Sequence, residues 1–565
     1  MVKASGKALL ISSTNFEFQP AMPLGLITLA TQLDHLGIHA QIFDLPMGDT
    51  SETHLDKLVE LTREEDWLFI GLSTMCDTFP RTLRVAKEFR AANPLVPIVL
   101  GGPQVTMYGY EVLSRYQFID GLVLGESEAV LPDLVNALIK DGPECAINIP
   151  GVVFRKGLKN VLSRRLPVAP IVPINEILPV DYSSFPRGNA AQTCPIEVGR
   201  GCPYACTFCS TKDFFKRNFR LKGKETICAE IQHILETSPH TFFDFMHDMF
   251  TTNRKLVFEF CEYVLSTGLK FNWGCSARTD RVDQELLNLM YRAGCRTMYF
   301  GIETGSQRIQ KIVKKKLDVL DAEKKIALAA SLGISSTVSL ILGFPDEEEG
   351  DVADTVDLAI RLRSYRPKLK AIQVHLLSPL SGTELEQSLD GNIYYDGHVS
   401  DISSVNNLTE WEEQQILEYN DIFSSFYYIQ NPHIPRMVYR RLYWILFFAN
   451  RFDNFFHLLC QHEENPGRLL TKFVLEIEES SLDDMTHPNA SLVVPRVFEL
   501  LQDWVLKMCD DEKRRDVLSQ ALDYGKEDKR LPPVLCHRFP LGETARSCAH
   551  TPGNKRRRLC SAQAR

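Results

Sequence analysis

Twice along its length this chain alternates short apolar runs with amphipathic stretches, and that alternation confines it to parallel-sheet architectures. Within residues 1–145 the runs Ala8–Ile11, Ala40–Phe43, Leu68–Leu72, Ile98–Leu100 and Gly121–Leu124 read as strands. The stretches Gly25–Leu36, Glu52–Arg63, Thr82–Ala92 and Ala129–Lys140 carry helical periodicity. This spacing predicts an α/β unit with a Rossmann-like, doubly wound parallel sheet. The pattern returns over residues 191–385. There Phe242–Met246, Lys270–Gly274, Met298–Ile302, Thr337–Leu342 and Val374–Leu377 predict a partial (β/α)6 barrel of TIM type.

At 565 residues the chain is too long for one core. A Pro-rich linker, with one hairpin-like piece at Val152–Val161, is expected over 146–190. A helical region follows over 386–535, with helices over Thr409–Tyr428 and Arg436–His462, and then a basic tail over 536–565. A net charge of −9 gives no sign of an overall basic nucleic-acid binder. No apolar run approaches a membrane span, and the first residues lack a cleavable signal pattern. The expected setting is therefore the reducing cytoplasm, with most of the fifteen cysteines acting as small buried hydrophobes.

Three cysteines are the exception. Cys202, Cys206 and Cys209 stand in the run Gly201-Cys-Pro-Tyr-Ala-Cys-Thr-Phe-Cys-Ser210, a C-x3-C-x2-C spacing. A structural zinc site wants four protein ligands, and the next candidates, Cys228 and His233, lie well downstream. Thiolates are the preferred ligands of iron–sulfur clusters. Three in so short a loop can hold three corners of a [4Fe-4S] cube and leave the fourth iron open to bind something else.

At this loop the sequence resembles the radical SAM superfamily, whose open iron chelates S-adenosylmethionine (SAM). The resemblance implies that Phe208, beside the third cysteine, flanks the adenine. It extends to five later strand ends. Asp248, in His247-Asp248-Met-Phe250, would accept from the SAM ammonium, with His247 a structural residue. Arg278 would meet the SAM carboxylate or a nearby acid. Glu303 would bind the ribose or pair with Arg278, and Gly343 would let the backbone approach the adenosyl group. Ser378–Thr383 is a further barrel ending of the same kind. The lysines at Lys311 and Lys314–Lys316 read as a solvated helix face.

The first domain resembles the cobalamin-binding domain found ahead of many radical SAM cores. The resemblance rests on Pro23-Leu-Gly-Leu26, Gly101-Gly-Pro-Gln104 and Gly125-Glu-Ser-Glu128. It implies cobalamin contacts at Ser73, Met75, Cys76, Gly101, Gly102, Gln104, Gly125 and Glu126. The Asp-x-His-x-x-Gly motif that supplies a lower cobalt ligand is missing. Met75, Cys76 or water is left for that face.

Taken together, the resemblance covers residues 5–385. It implies an enzyme that cleaves SAM to a 5′-deoxyadenosyl radical and, with cobalamin, methylates an unactivated carbon of a small-molecule or peptide precursor. A flavodoxin or ferredoxin would donate the electron, and neither nucleic acid nor membrane would be a partner. Two alternatives stay open: a cobalamin-dependent cyclase or rearrangement enzyme without methyl transfer, and a non-catalytic cluster-binding protein.

Overall fold

The computed structural model describes residues 6–16, 22–47, 52–63, 66–140, 142, 149–155, 166–182, 185, 193–237, 242–363, 369–389, 392–397, 408–448, 465–477, 499–501, 503, 504 and 516. The expected basic tail lies outside them.

The first sheet contains β1 (Gly6–Phe16), β2 (Ile38–Met47), β3 (Trp67–Ser73), β4 (Ile98–Gly101), β5 (Gly121–Val123) and β6 (Val152–Phe154). Its order is β2-β1-β3-β4-β5-β6, parallel except for the last pair. The central stretches of the strands are apolar because helices cover both faces; Ala8, Leu9, Leu10 and Ile11 are all buried. The order reverses at β1 and β3, which places a ligand crevice at the carboxyl ends there. The hairpin-like piece of the linker contributes β6, an antiparallel edge to this sheet, and 156–161 fall outside the described residues. A helix over Pro103–Arg115, absent from the sequence reading, joins β4 to β5.

The second sheet contains β7 (Thr193–Glu197), β10 (Phe242–Met246), β11 (Asn272–Ala277), β12 (Cys295–Glu303), β13 (Ser335–Leu342) and β14 (Leu369–Leu376). All pairs are parallel and the order is β14-β13-β12-β11-β10-β7, the order of a partial barrel. Between β7 and β10 runs a short antiparallel ribbon, β8 (Gly199–Arg200) with β9 (Arg220–Leu221).

The C-terminal part ties the two units together. The sequence reading expected one helix over Thr409–Tyr428. Instead Glu410–Glu418 is helical, started by a capping box of Thr409 and Glu412. The chain then turns so that Ile422, Phe423, Phe426 and Tyr427 join the core of the first sheet. Arg436–Phe448 is helical as expected, and the rest of that stretch lies outside the described residues. Tyr439, Tyr443 and Leu446 of that helix are buried in the second core, so its aromatic stripe is packing. No helix among the described residues is long and apolar enough to cross a membrane.

Candidate functional site

The cysteine loop is built on the β8–β9 ribbon, so residues 201–219 leave and return at one point. Its first turn requires glycine. Gly201 has φ +83°, and a Cβ there would lie 2.0 Å from the carbonyl oxygen of Asn218. Asp248, at the end of β10, fastens the loop at two places. Its carboxylate accepts from the Gly201 N–H at 2.8 Å and from the Thr211 hydroxyl at 3.2 Å. The structure thus puts Asp248 on both ends of the segment that carries the cysteines. His247 beside it is buried and held neutral, its value pushed down to about 4 by burial. It accepts from the Met249 N–H and lies 3.1 Å from the Arg220 carbonyl, a structural role.

The three thiols lie within electrostatic reach of one another. Burial, and then the neighbouring Cys209, Cys206 and Asp248, push Cys202 up to about 11. Cys206 is raised by burial and eased by Lys315. Among the described residues no three Cys, His, Asp or Glu groups converge at the spacing of a single ion. A four-iron cube binds each cysteine through a different iron, so its sulfurs stand wider apart. The donor set fits a thiolate-held cluster.

Above the loop sits a cationic wall. Arg278, the first residue after β11, is almost fully buried, and its guanidinium stacks 3.9 Å above the ring of Tyr204 inside the loop. It also bonds Asp280 at 2.9 Å and the Lys315 carbonyl at 2.9 Å. Glu303, the last residue of β12, has φ +71°, a left-handed conformation rare for a side-chain-bearing residue. Its partner is Lys315, with Nζ 2.9 Å from Oε1. This corrects two expectations. Glu303 does not pair with Arg278, and Lys315 does not belong to a solvated helix face. The helix Gln307–Ile312 has ended before it, and Lys314 and Lys316 both take positive φ. Lys314 therefore turns out to Glu384 while Lys315 turns in.

Phe208 packs edge-on to Phe344, ring centres 5.7 Å apart, in a small cluster with Ile309, Val313 and Leu377. Gly343, at the end of β13, has φ +103° and donates its N–H to Glu347 at 2.9 Å. Burial pushes the Glu347 carboxyl up to about 8. A carboxyl raised in the fold binds its proton more tightly there than in the unfolded chain. Its stabilising effect is full below about 4.5 and is lost as pH rises to about 8. Denaturation midpoints are expected to fall across that window and to flatten in Glu347→Gln; equal slopes for the two proteins would contradict this.

At the first domain's strand ends, the sequence-derived residues divide into two groups. Met75 is 40% exposed there, while the Cys76 thiol, pushed up to about 12 by burial, lies against Ser425. Gly101 and Gly125 have no neighbour within 3.4 Å of a built Cβ except the Ala169 nitrogen at that distance, and Ser73 lies beside Gly101 in register. A Cβ at Gly101 would touch Ser127 and Val123, and one at Gly125 would touch Val168 and Ala169, so both glycines already pack against the chain around them. Gln104 and Glu126 are engaged elsewhere. Gln104 donates to the Ile422 carbonyl at 2.7 Å and accepts from Ser381 at 3.0 Å. Glu126 pairs with Arg220 and, at 3.4 Å, with Arg200. Gly102 has φ +113°, and a Cβ would lie 2.6 Å from the Thr74 oxygen. Gly102→Val is expected to displace this strand end and lower corrinoid uptake, with iron–sulfur absorbance retained. Wild-type corrinoid content in the reconstituted variant would refute that.

Sequence reasoning missed the residue that joins the two units. Arg200 stands two positions before Cys202 and bonds Glu128 and Glu197, each at 2.6 Å, as well as Glu126. The acidic residues of Gly125-Glu-Ser-Glu128 thus grip the base of the cysteine loop.

Comparison with known proteins agrees with this layout. Residues 196–359 match the model of the radical SAM superfamily, and residues 18–135 match the B12 binding domain. An uncharacterized methyltransferase of Pyrococcus horikoshii is 27% identical over 379 residues, 66% of this chain and 79% of that protein. The anaerobic magnesium-protoporphyrin IX monomethyl ester cyclase of Cereibacter sphaeroides is 29% identical over 319 residues, 54% of this chain and 51% of the cyclase. The fold is similar to that of the radical SAM methyltransferase TsrM from Kitasatospora setae, solved with cobalamin and a [4Fe-4S] cluster. The TM-score is 0.61 at 17% identity, covering 84% of this chain and 100% of that one.

Proposed function

We propose that this chain, which belongs to the radical SAM superfamily and carries a B12 binding domain, methylates an unactivated carbon of a small-molecule or peptide substrate. A [4Fe-4S] cluster, SAM and cobalamin are the cofactors of these two domains; when bound they supply radical chemistry and a transferable methyl group. The chain's own residues bind and orient. Cys202, Cys206 and Cys209 would hold the cluster, and Asp248 fixes the loop that presents them. Arg278, Glu303, Phe208 and Gly343 surround that loop at the strand ends and are our assignment for SAM. Met75, Gly101 and Gly125, at the strand ends of the first sheet, are our assignment for the corrin.

One observation carries the reading: Arg200, at the root of the cysteine loop, is held by Glu126 and Glu128 of the other domain. Two cofactor-bearing edges locked together at that point suit a reaction that needs both at one cavity. The cyclase relative favours a second reading, radical cyclisation without methyl transfer. In either case a small electron-transfer protein would supply the electron.

The two outcomes differ in SAM consumption. Hydrogen abstraction uses one SAM, and methyl transfer through cobalt uses another. With deuterated-methyl SAM, a methyltransferase should release S-adenosylhomocysteine and 5′-deoxyadenosine in matched amounts and place the label in product. 5′-Deoxyadenosine without homocysteine product or label transfer would select the cyclase reading.

A further inference from the structure

The interior of the second sheet is not filled. A cleft of about 620 Å³, open to solvent on one side, lies inside it, within the range of small-ligand sites. Full barrels of this type are instead packed solid by branched side chains. Met246 and Tyr299 keep 43% and 37% of their surface free, and both line this cleft. Leu24, Gly25 and Thr28 of the first domain close part of its wall, and Arg200 and His247 line it near the cysteine loop.

Two opposite charges face one another across this space. Asp244 belongs to β10 and Lys370 to β14, with three strands between them in the sheet. Laid flat, four strand spacings would hold them about 19 Å apart. Each nevertheless feels the other's charge, because the sheet curls and both side chains point inward. Neither makes a hydrogen bond or a close ion pair with any described residue. Burial pushes Asp244 up to about 6 and draws Lys370 down, each partly offset by the other. The other acidic and basic groups on the wall are engaged: Glu197 pairs with Arg200, which also holds Glu126 and Glu128, and Asp248 accepts from the Gly201 N–H and the Thr211 hydroxyl. Ser276, Thr297, Thr337 and Gln373 add hydroxyl and amide groups to the lining.

Both side chains are half-buried, so water reaches them in the open cleft; an apolar ligand entering it would strip that water and leave both charges without a partner. A ligand that brings the two complementary charges removes the cost at both ends. We propose that this cleft binds a small molecule of amino-acid size carrying both an amine and a carboxylate, the ammonium on Asp244 and the carboxylate on Lys370. Naming that molecule as the substrate rests on the radical reading above; its binding does not.

The test is calorimetric titration of the anaerobically reconstituted full chain with the standard L-amino acids, singly, and with the matching amines and carboxylic acids that lack one charge. At least one amino acid should bind, with its single-charge analogues roughly tenfold or more weaker. Asp244→Asn and Lys370→Met should each weaken binding of that amino acid by a similar factor, with iron–sulfur absorbance reporting that the variant is folded. Gln373→Leu, a neutral change in the same lining, should also weaken it and keeps the test open if a charge variant fails to fold. Absence of amino-acid binding by the wild type, or wild-type affinity in the variants, overturns the assignment. Binding is read without turnover, so the two readings fail separately. A chain that binds an amino acid but cannot cleave SAM supports the cleft and defeats the radical reading. One that cleaves SAM and binds none does the reverse.

Discussion

Replacing Cys202, Cys206 or Cys209 by alanine is expected to abolish both iron–sulfur absorbance and 5′-deoxyadenosine production. The loop offers three thiolates and no substitute, since Cys228 is buried in the helix Lys224–Thr237 and His233 lies on that same helix. Burial and mutual repulsion hold Cys202 as a protonated thiol near neutral pH, at about 11. Cluster binding must therefore displace protons, and each lost ligand removes charge that the cluster needs. The fold should survive, because the loop is an excursion from a two-residue ribbon and neither sheet depends on it. Far-ultraviolet circular dichroism should stay near wild type. Cys194→Ala, on β7, should keep the absorbance and serves as the control. Absorbance or 5′-deoxyadenosine retained in all three loop variants would end the radical SAM reading.

Both sheets were legible because short apolar runs recur at regular spacing between amphipathic helices: near-continuous in β1 and β3 of the first sheet, and interrupted by inward polar residues such as Asp244 and Gln373 in the second. The helix Pro103–Arg115 was not. It starts on Gly102 and Pro103, kinks at Tyr108 with φ −120°, and carries Gly109 in its middle, so its periodicity is interrupted. Gly109 is there because a Cβ would press on Leu122 at 3.0 Å. The cysteine loop was legible because its chemistry is local. What surrounds it was not, because the partners are far apart in sequence. Glu126 meets Arg220 across 94 positions, and Gln104 meets Ile422 across 318. Both were expected as cobalamin contacts, and in the fold their side chains stand at the joints between units. Lys315 was hidden by its neighbours, since three consecutive lysines resemble a solvated face until two left-handed residues turn the middle one inward. Asp244 and Lys370 carry no local signal, and only the curl of the sheet brings them together.

Lys315→Met should be among the most damaging single changes outside the cysteines. Lys315 and Glu303 are 6% and 8% exposed, and their contact at 2.9 Å is made where β12 ends in a left-handed residue. Burial alone would pull the Lys315 ammonium down; Glu303, with help from Cys206, more than offsets that and holds it above the ordinary lysine range. Methionine keeps the length of the side chain and removes the charge. Among the described residues the Glu303 carboxylate then retains only the Ser339 hydroxyl at 3.4 Å. Breaking a buried pair in this way typically costs about 3–5 kcal/mol, most of it from the charge left uncompensated. The double variant Glu303→Gln with Lys315→Met removes that charge and should recover much of the stability, while SAM affinity stays low because the strand-end carboxylate is gone. Denaturant unfolding and equilibrium SAM binding of wild type, both single variants and the double variant close the cycle. If Lys315→Met unfolds like wild type, or the double variant is no more stable than Lys315→Met alone, the pair does not hold this strand end. If the double variant binds SAM as wild type does, Glu303 is not a SAM contact.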